Sequence, residues 1–185
     1  MTNPTPENRF AQWLQEGKRS EGEPIPAATV ILVRERFVNN ELAGIETLML
    51  RKNSKLAFGG MWVFPGGRID DEDREGADTV LEAARQAATR EAYEEAGLKV
   101  DPASLQWISH WLPPSVTPKR FATWFFVAPA PKGSVKIDDG EIHESEWMSP
   151  VEALARRDEK ILELAPPTWM TLHYLAQFSD LSELM

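Results

Sequence analysis

The chain has 185 residues, 42% of them hydrophobic and 26% charged, with no cysteine and a formal net charge of −9. That length suits one domain with a sizeable core, the missing cysteines exclude disulfides and cysteine-ligated zinc, and the acidic balance argues against nucleic acid as a partner. A small phosphate ligand stays compatible with that charge if cations gather locally at its site. No apolar run is long enough to span a bilayer and MTNPTPENRF has no signal-peptide pattern, so no membrane partner and a cytoplasmic protein are expected.

In chain order, residues 1–24 are polar and punctuated by proline, with Phe10, Trp13 and Leu14 as their only anchors. They read as an N-terminal extension, partly ordered at best, holding one short helix. The domain proper is expected from 25 to 185. Ala28–Val33 is a β-branched, apolar, buried strand; Asn39-Asn40 through Gly44 reads as a turn, and Glu46–Arg51 as the returning strand. Met61–Phe64 is a short strand and Pro65-Gly66-Gly67 a tight turn. A long helix is expected over about Asp78–Ala96, with Leu81, Ala84, Ala88 and Ala92 along one face and Gly97 as its stop. Leu105–Ser109 and Phe121–Val127 read as strands joined through Leu112-Pro113-Pro114, and Ile142–Met148 as another. Pro150 opens a helix through Ala155, and Pro166-Pro167-Thr168 opens the last one, with Leu172, Leu175 and Phe178 facing the core. Strands interleaved with helices indicate an α/β or α+β sandwich.

The long helix carries the chemistry. Arg90-Glu91-Ala92-Tyr93-Glu94-Glu95-Ala96-Gly97-Leu98 places Glu91, Glu94 and Glu95 at i, i+3 and i+4, on one helix face. Like charges so close destabilise a helix unless a cation sits among them, and Mg²⁺ prefers carboxylate oxygen. A glutamate-rich helix by itself is usually a solvated face, here with an Arg90–Glu94 pair. The surrounding pattern separates the two readings.

Arg-Glu-apolar-x-Glu-Glu-x-Gly-apolar resembles the core of the Nudix box, G-x5-E-x7-R-E-U-x-E-E-x-G-U, and Glu82, Arg90, Glu91, Glu94, Glu95 and Gly97 fall at its spacing. Gly76, 14 residues before Arg90, completes the written pattern. Gly67, 23 residues before it, has the loop context Phe64-Pro65-Gly66-Gly67 that the family shows there. Either glycine can be the box glycine, and the longer loop leaves Glu82 open between a site residue and a solvated helix residue. The resemblance runs from about Ala27 to the end of the chain.

It implies a Nudix α/β/α sandwich with a central mixed sheet, and hydrolysis of a nucleoside diphosphate linked to a group X, using Mg²⁺ or Mn²⁺. It further implies that Glu91, Glu94 and Glu95 form the metal cluster with the Gly67 carbonyl, that Glu91 is a candidate base, and that Arg90 orients a glutamate. Glu144, in Glu141-x-x-Glu144-x-x-Trp147, is a candidate further ligand or base. Arg51, Arg68 and Arg120 are candidate substrate-binding residues, with surface ion pairing as the alternative. Trp62, Trp111 and Trp124 are candidates for stacking on a base or for the core. His110, His143 and His173 have no metal-ligand spacing and read as structural.

Lys55-Leu56-Ala57-Phe58-Gly59-Gly60-Met61-Trp62-Val63-Phe64-Pro65-Gly66-Gly67, Arg120–Phe126 and Leu164–Thr168 resemble the branch that contains peroxisomal coenzyme A and acyl-CoA diphosphatases. Arg51 and Gly60-x-x-x-Phe64-Pro65-Gly66-Gly67 fit that branch, whereas Ala57 occupies a position where it has an arginine. The alternatives are a Nudix hydrolase of ADP-ribose, NADH or nucleoside triphosphates and a non-catalytic Nudix-fold sensor. Sensors commonly lose the box carboxylates that this chain keeps. A Nudix-fold isomerase of isopentenyl diphosphate would be expected to need a cysteine. The family also makes a homodimer plausible.

Overall fold

The structure, a computed structural model, describes residues 15–16, 22–53, 59–117, 119–138 and 140–185. The helix expected around Phe10, Trp13 and Leu14, and the stretch Lys55 to Phe58, lie outside the described residues.

Seven strands form one mixed sheet: β1 (Ile25–Val38), β2 (Glu41–Lys52), β3 (Trp62–Val63), β4 (Gly66–Arg68), β5 (Gln106–Trp111), β6 (Phe121–Pro129) and β7 (Ile142–Met148). The order is β3-β2-β1-β6-β5, with β4 also pairing β1 and β7 also pairing β2. β1 and β6 run parallel and every other pair is antiparallel. The long helix α1 (Val80–Ala96) covers one face; α2 (Pro150–Asp158), α3 (Pro166–Leu175) and the single turn α4 (Leu181–Leu184) cover the other. This is the expected α/β/α sandwich.

Alternation along β1 feeds two cores. Ala28, Val30 and Leu32 pack under α1, while Ile31 and Val33 meet Leu172, Leu175 and Leu184 on the opposite side. α1 lies close to the sheet because its inner face is alanine: Ala83, Ala84, Ala87, Ala88, Ala92 and Ala96 are all buried. The helix begins two residues later than expected. Thr79 caps it, and the Glu82 carboxylate returns to the Thr79 N–H at 3.1 Å and the Asp78 N–H at 2.7 Å. Gly97, at φ 68, closes it in the left-handed region.

Three expectations are corrected. Only Asn39 and Asn40, both at positive φ, form the first turn, and Val38 pairs directly with Glu41; two left-handed residues suffice for a tight hairpin. Gly66-Gly67 is strand rather than turn, because Gly66–Arg68 pairs with Ala27–Thr29. Its glycines allow the close approach: a Cβ on Gly66 would lie 2.6 Å from the Ala28 carbonyl oxygen. The helix opened by Pro166 is also not the last, since the turn capped by Asp180 follows it. Four residues are too few to show a helical period.

Candidate active site

β1 and β2 are paired from Val33–Thr47 down to their hairpin. Beyond that point β3 pairs with the end of β2 and β4 with the start of β1. α1 crosses this region, so Glu91 and Glu95 meet β4 and the last residue of β2.

Arg90 is the hub. Its Nε donates to Asp73 Oδ1 at 3.0 Å, and its Nη2 to Asp73 Oδ2 at 2.9 Å and to the Arg68 carbonyl at 3.0 Å. Nη1 donates to Glu91 Oε1 and Glu94 Oε2, each at 2.9 Å. Those five bonds match the five N–H donors of a guanidinium. Asp73, in a 3₁₀ turn at Glu72–Arg74, is buried and raises the Arg90 pKa further above its ordinary value. Glu91 and Glu94 each spend one oxygen on Arg90, and the other carries no protein hydrogen bond among the described residues.

Glu91 is mostly buried. Burial first, then the Glu95 charge, push its carboxyl up to about 7, against the pull of Arg90. Gly67 lies against it so closely that a Cβ there would overlap the Glu91 carboxylate. Glu95, 2% exposed, has both oxygens engaged: Lys52 Nζ donates to Oε1, and the Gly66 N–H to Oε2 at 2.9 Å. Burial raises its pKa in spite of those contacts. Lys52 Nζ also stands 3.7 Å from Glu141.

The remaining candidates scatter. Arg51 faces Glu144 across the β2–β7 register at 3.5 Å. Strand alternation puts Lys52 on the α1 side with Leu48 and Leu50, and Arg51 on the other side with Met49. Glu144 therefore meets Arg51 and not the glutamates of α1. Arg68 is exposed, 3.9 Å from Asp70, and Arg120 Nε donates to the Pro113 carbonyl at 3.1 Å. Trp62 is core, whereas Trp124 stacks on His110 with centroids 4.3 Å apart and Trp107 stands half exposed beside it. Gly76, at φ 74, is a turn glycine with open space around it, and Glu82 is spent on the helix cap.

Sequence reasoning missed Lys52 and Asp73. Lys52 had a signal, a charged residue continuing the core-facing Leu48–Leu50 alternation. Asp73, one of several acidic residues in the long loop, had none.

Among the described residues no three carboxylates or histidines converge as a ready-made metal cage. The donor set nevertheless suits a hard divalent cation. Two carboxylate oxygens lack protein donors, one belongs to a buried glutamate that resists ionising unaided, and the absence of a side chain on Gly67 lets that glutamate's carboxylate lie directly against the β4 backbone.

One prediction concerns the metal-free protein. The folded Glu91 holds its proton to about pH 7, whereas the unfolded residue loses it near 4.5. The contribution of Glu91 to stability is therefore fully present below pH 4.5 and is lost as pH rises through about 7, amounting to at most ~3 kcal/mol. Thermal melts in EDTA are expected to give a higher Tm at pH 5 than at pH 8, with a shallower slope for Glu91→Gln. An unchanged slope in that variant would remove Glu91 as the source.

The NUDIX domain family profile matches residues 23–166. No curated protein matches the chain. Among solved structures, a NUDIX hydrolase from Alicyclobacillus acidocaldarius superposes with a TM-score of 0.77 at 22% identity, over 89% of this chain and 96% of its own. The NUDIX domain of Shewanella oneidensis NrtR complexed with ADP ribose gives 0.59 at 16% identity, over 95% and 98%. A C. elegans Ap4A hydrolase binary complex gives 0.57 at 20%, over 83% and 99%. At these identities the likeness is one of fold.

Proposed function

The chain belongs to the Nudix family of hydrolases acting on diphosphate bonds, generally with a divalent metal, and on that premise we propose that Glu91, Glu94 and Arg90 form its catalytic centre. The observation that carries this reading is the bonding of Arg90, which orients both glutamates and leaves each with an oxygen for Mg²⁺ or Mn²⁺. When bound, the cation neutralises phosphate charge and lowers the pKa of water. Glu91, beside the Gly67 backbone, holds its ligand position and is the base candidate. Glu95 completes the acidic set from behind, oriented by Lys52 and the Gly66 N–H. Gly67 contributes its carbonyl, and Glu144 remains an outlying candidate through Arg51.

The substrate we propose contains an adenosine diphosphate unit, with CoA or acyl-CoA as the specific choice. Arg51 with Gly60-x-x-x-Phe64-Pro65-Gly66-Gly67 supports CoA; Arg51, Arg68 and Arg120 are the cations offered to its phosphates. The ADP-ribose and Ap4A neighbours support ADP-ribose and NADH as alternatives, which share the same unit, whereas nucleoside triphosphates in general do not. Trp107, His110 and Trp124 supply aromatic surface on the α1 side of the sheet. Trp124 stands in register with Ala28, and Ala28 with Gly67.

The test is a panel with Mg²⁺ of CoA, acyl-CoA, ADP-ribose, NADH, dinucleoside polyphosphates and deoxynucleoside triphosphates, in ¹⁸O-labelled water with products identified by mass. Mg²⁺-dependent release of 3′,5′-ADP from CoA is expected, with label in one product only. No cleavage anywhere in the panel would favour the sensor.

A further inference from the structure

We infer that Asp73, supplied by the long loop between Gly67 and α1, is a positioning residue that anchors Arg90 and so keeps the glutamate oxygens open to the cation; this rests on the catalytic reading above. Asp73 is 4% exposed, and a carboxylate so buried persists only with partners. Its partners are three: Arg90 Nε on Oδ1, and Arg90 Nη2 together with the Asp70 N–H on Oδ2. With the Arg68 carbonyl, Asp73 holds the Nε–Nη2 edge of the guanidinium and leaves only Nη1 for Glu91 and Glu94.

That geometry has a consequence for metal binding. A guanidinium free to turn makes fork-to-fork contact with a carboxylate and covers both of its oxygens. Arg90 without Asp73 could close in that way on Glu91 or Glu94 and compete with the cation. With Asp73 in place, three bonds still hold Arg90 when a cation draws on the glutamates. The long loop is then a working part of the site.

The test compares the full-length protein with Asp73→Asn, Arg90→Lys and the double variant. Lysine keeps the charge and loses the fork. Mn²⁺ affinity is read by titration without nucleotide, and kcat and KM on the best nucleotide of the panel. Asp73→Asn is expected to weaken Mn²⁺ binding and lower kcat by about 10- to 100-fold, with KM nearly unchanged. Added to Arg90→Lys, it should cause little further loss, because both act through one contact. Wild-type Mn²⁺ affinity and kcat in Asp73→Asn, or losses that multiply in the double variant, would overturn the inference. Should Asp73→Asn fail to fold, Asp73→Glu, with its charge one methylene further out, takes its place under the same readouts. If the unaltered protein binds Mn²⁺ yet cleaves nothing, the hydrolase reading fails and the titration still decides the role of Asp73.

Discussion

Glu94→Gln is expected to lower kcat by about 10³-fold, the several kcal/mol that a metal ligand contributes to a charge-laden transition state. The fold should survive. Glu94 is half exposed, and its contact in the fold is the i,i+4 pair with Arg90 at 2.9 Å. Exposed pairs of that kind are worth about 0.3–0.5 kcal/mol, and Arg90 keeps Asp73, Glu91 and the Arg68 carbonyl. A Tm within about 2 °C of the wild type, measured beside steady-state rates, would separate lost chemistry from lost structure. Undiminished turnover would remove Glu94 from the catalytic centre.

The second large effect contrasts two adjacent glycines. Gly67→Ala drives a methyl group into the Glu91 carboxylate, the movable end of a side chain. The carboxylate should swing aside at a cost of about 1 kcal/mol in stability. Displacement by about 1 Å is enough to lose on the order of 10² in kcat. Gly66→Ala meets something less yielding, since its Cβ would stand 2.6 Å from the Ala28 carbonyl oxygen and 2.8 Å from the Thr29 Cα. Backbone cannot step aside there without parting β4 from β1, and a stability loss of about 3 kcal/mol or more is expected. Urea midpoints and kcat for both variants make the comparison. A Gly67→Ala protein with wild-type kcat would show that the placement of Glu91 does not matter to turnover.

Much of this site was legible before any coordinates. Spacing along a helix fixes angular separation, so Glu91, Glu94 and Glu95 had to share a face, and Arg90 had to reach Glu94. Gly97 marked the helix end and Pro150 and Pro166 two helix starts. The same local logic could not separate roles that share one spacing or one composition. Glu82 fits the box pattern, yet its distance from Thr79 also makes a capping box, and there its carboxylate is committed. Pro65-Gly66-Gly67 has turn composition, yet the glycines serve strand pairing at close range.

What one stretch of chain determines by its own periodicity is which side chains stand together on that stretch: the glutamate face, its arginine and its alanine underside belong to the sequence alone. Who meets them across space was decided by the tertiary structure. Sheet register brings Lys52 and the Gly66 N–H to Glu95, strand alternation turns Glu144 away toward Arg51, and the long loop folds back to set Asp73 on Arg90. Those contacts join residues 17 to 93 positions apart. No local period encodes such separations; they follow from how strands pair and cross beneath one helix.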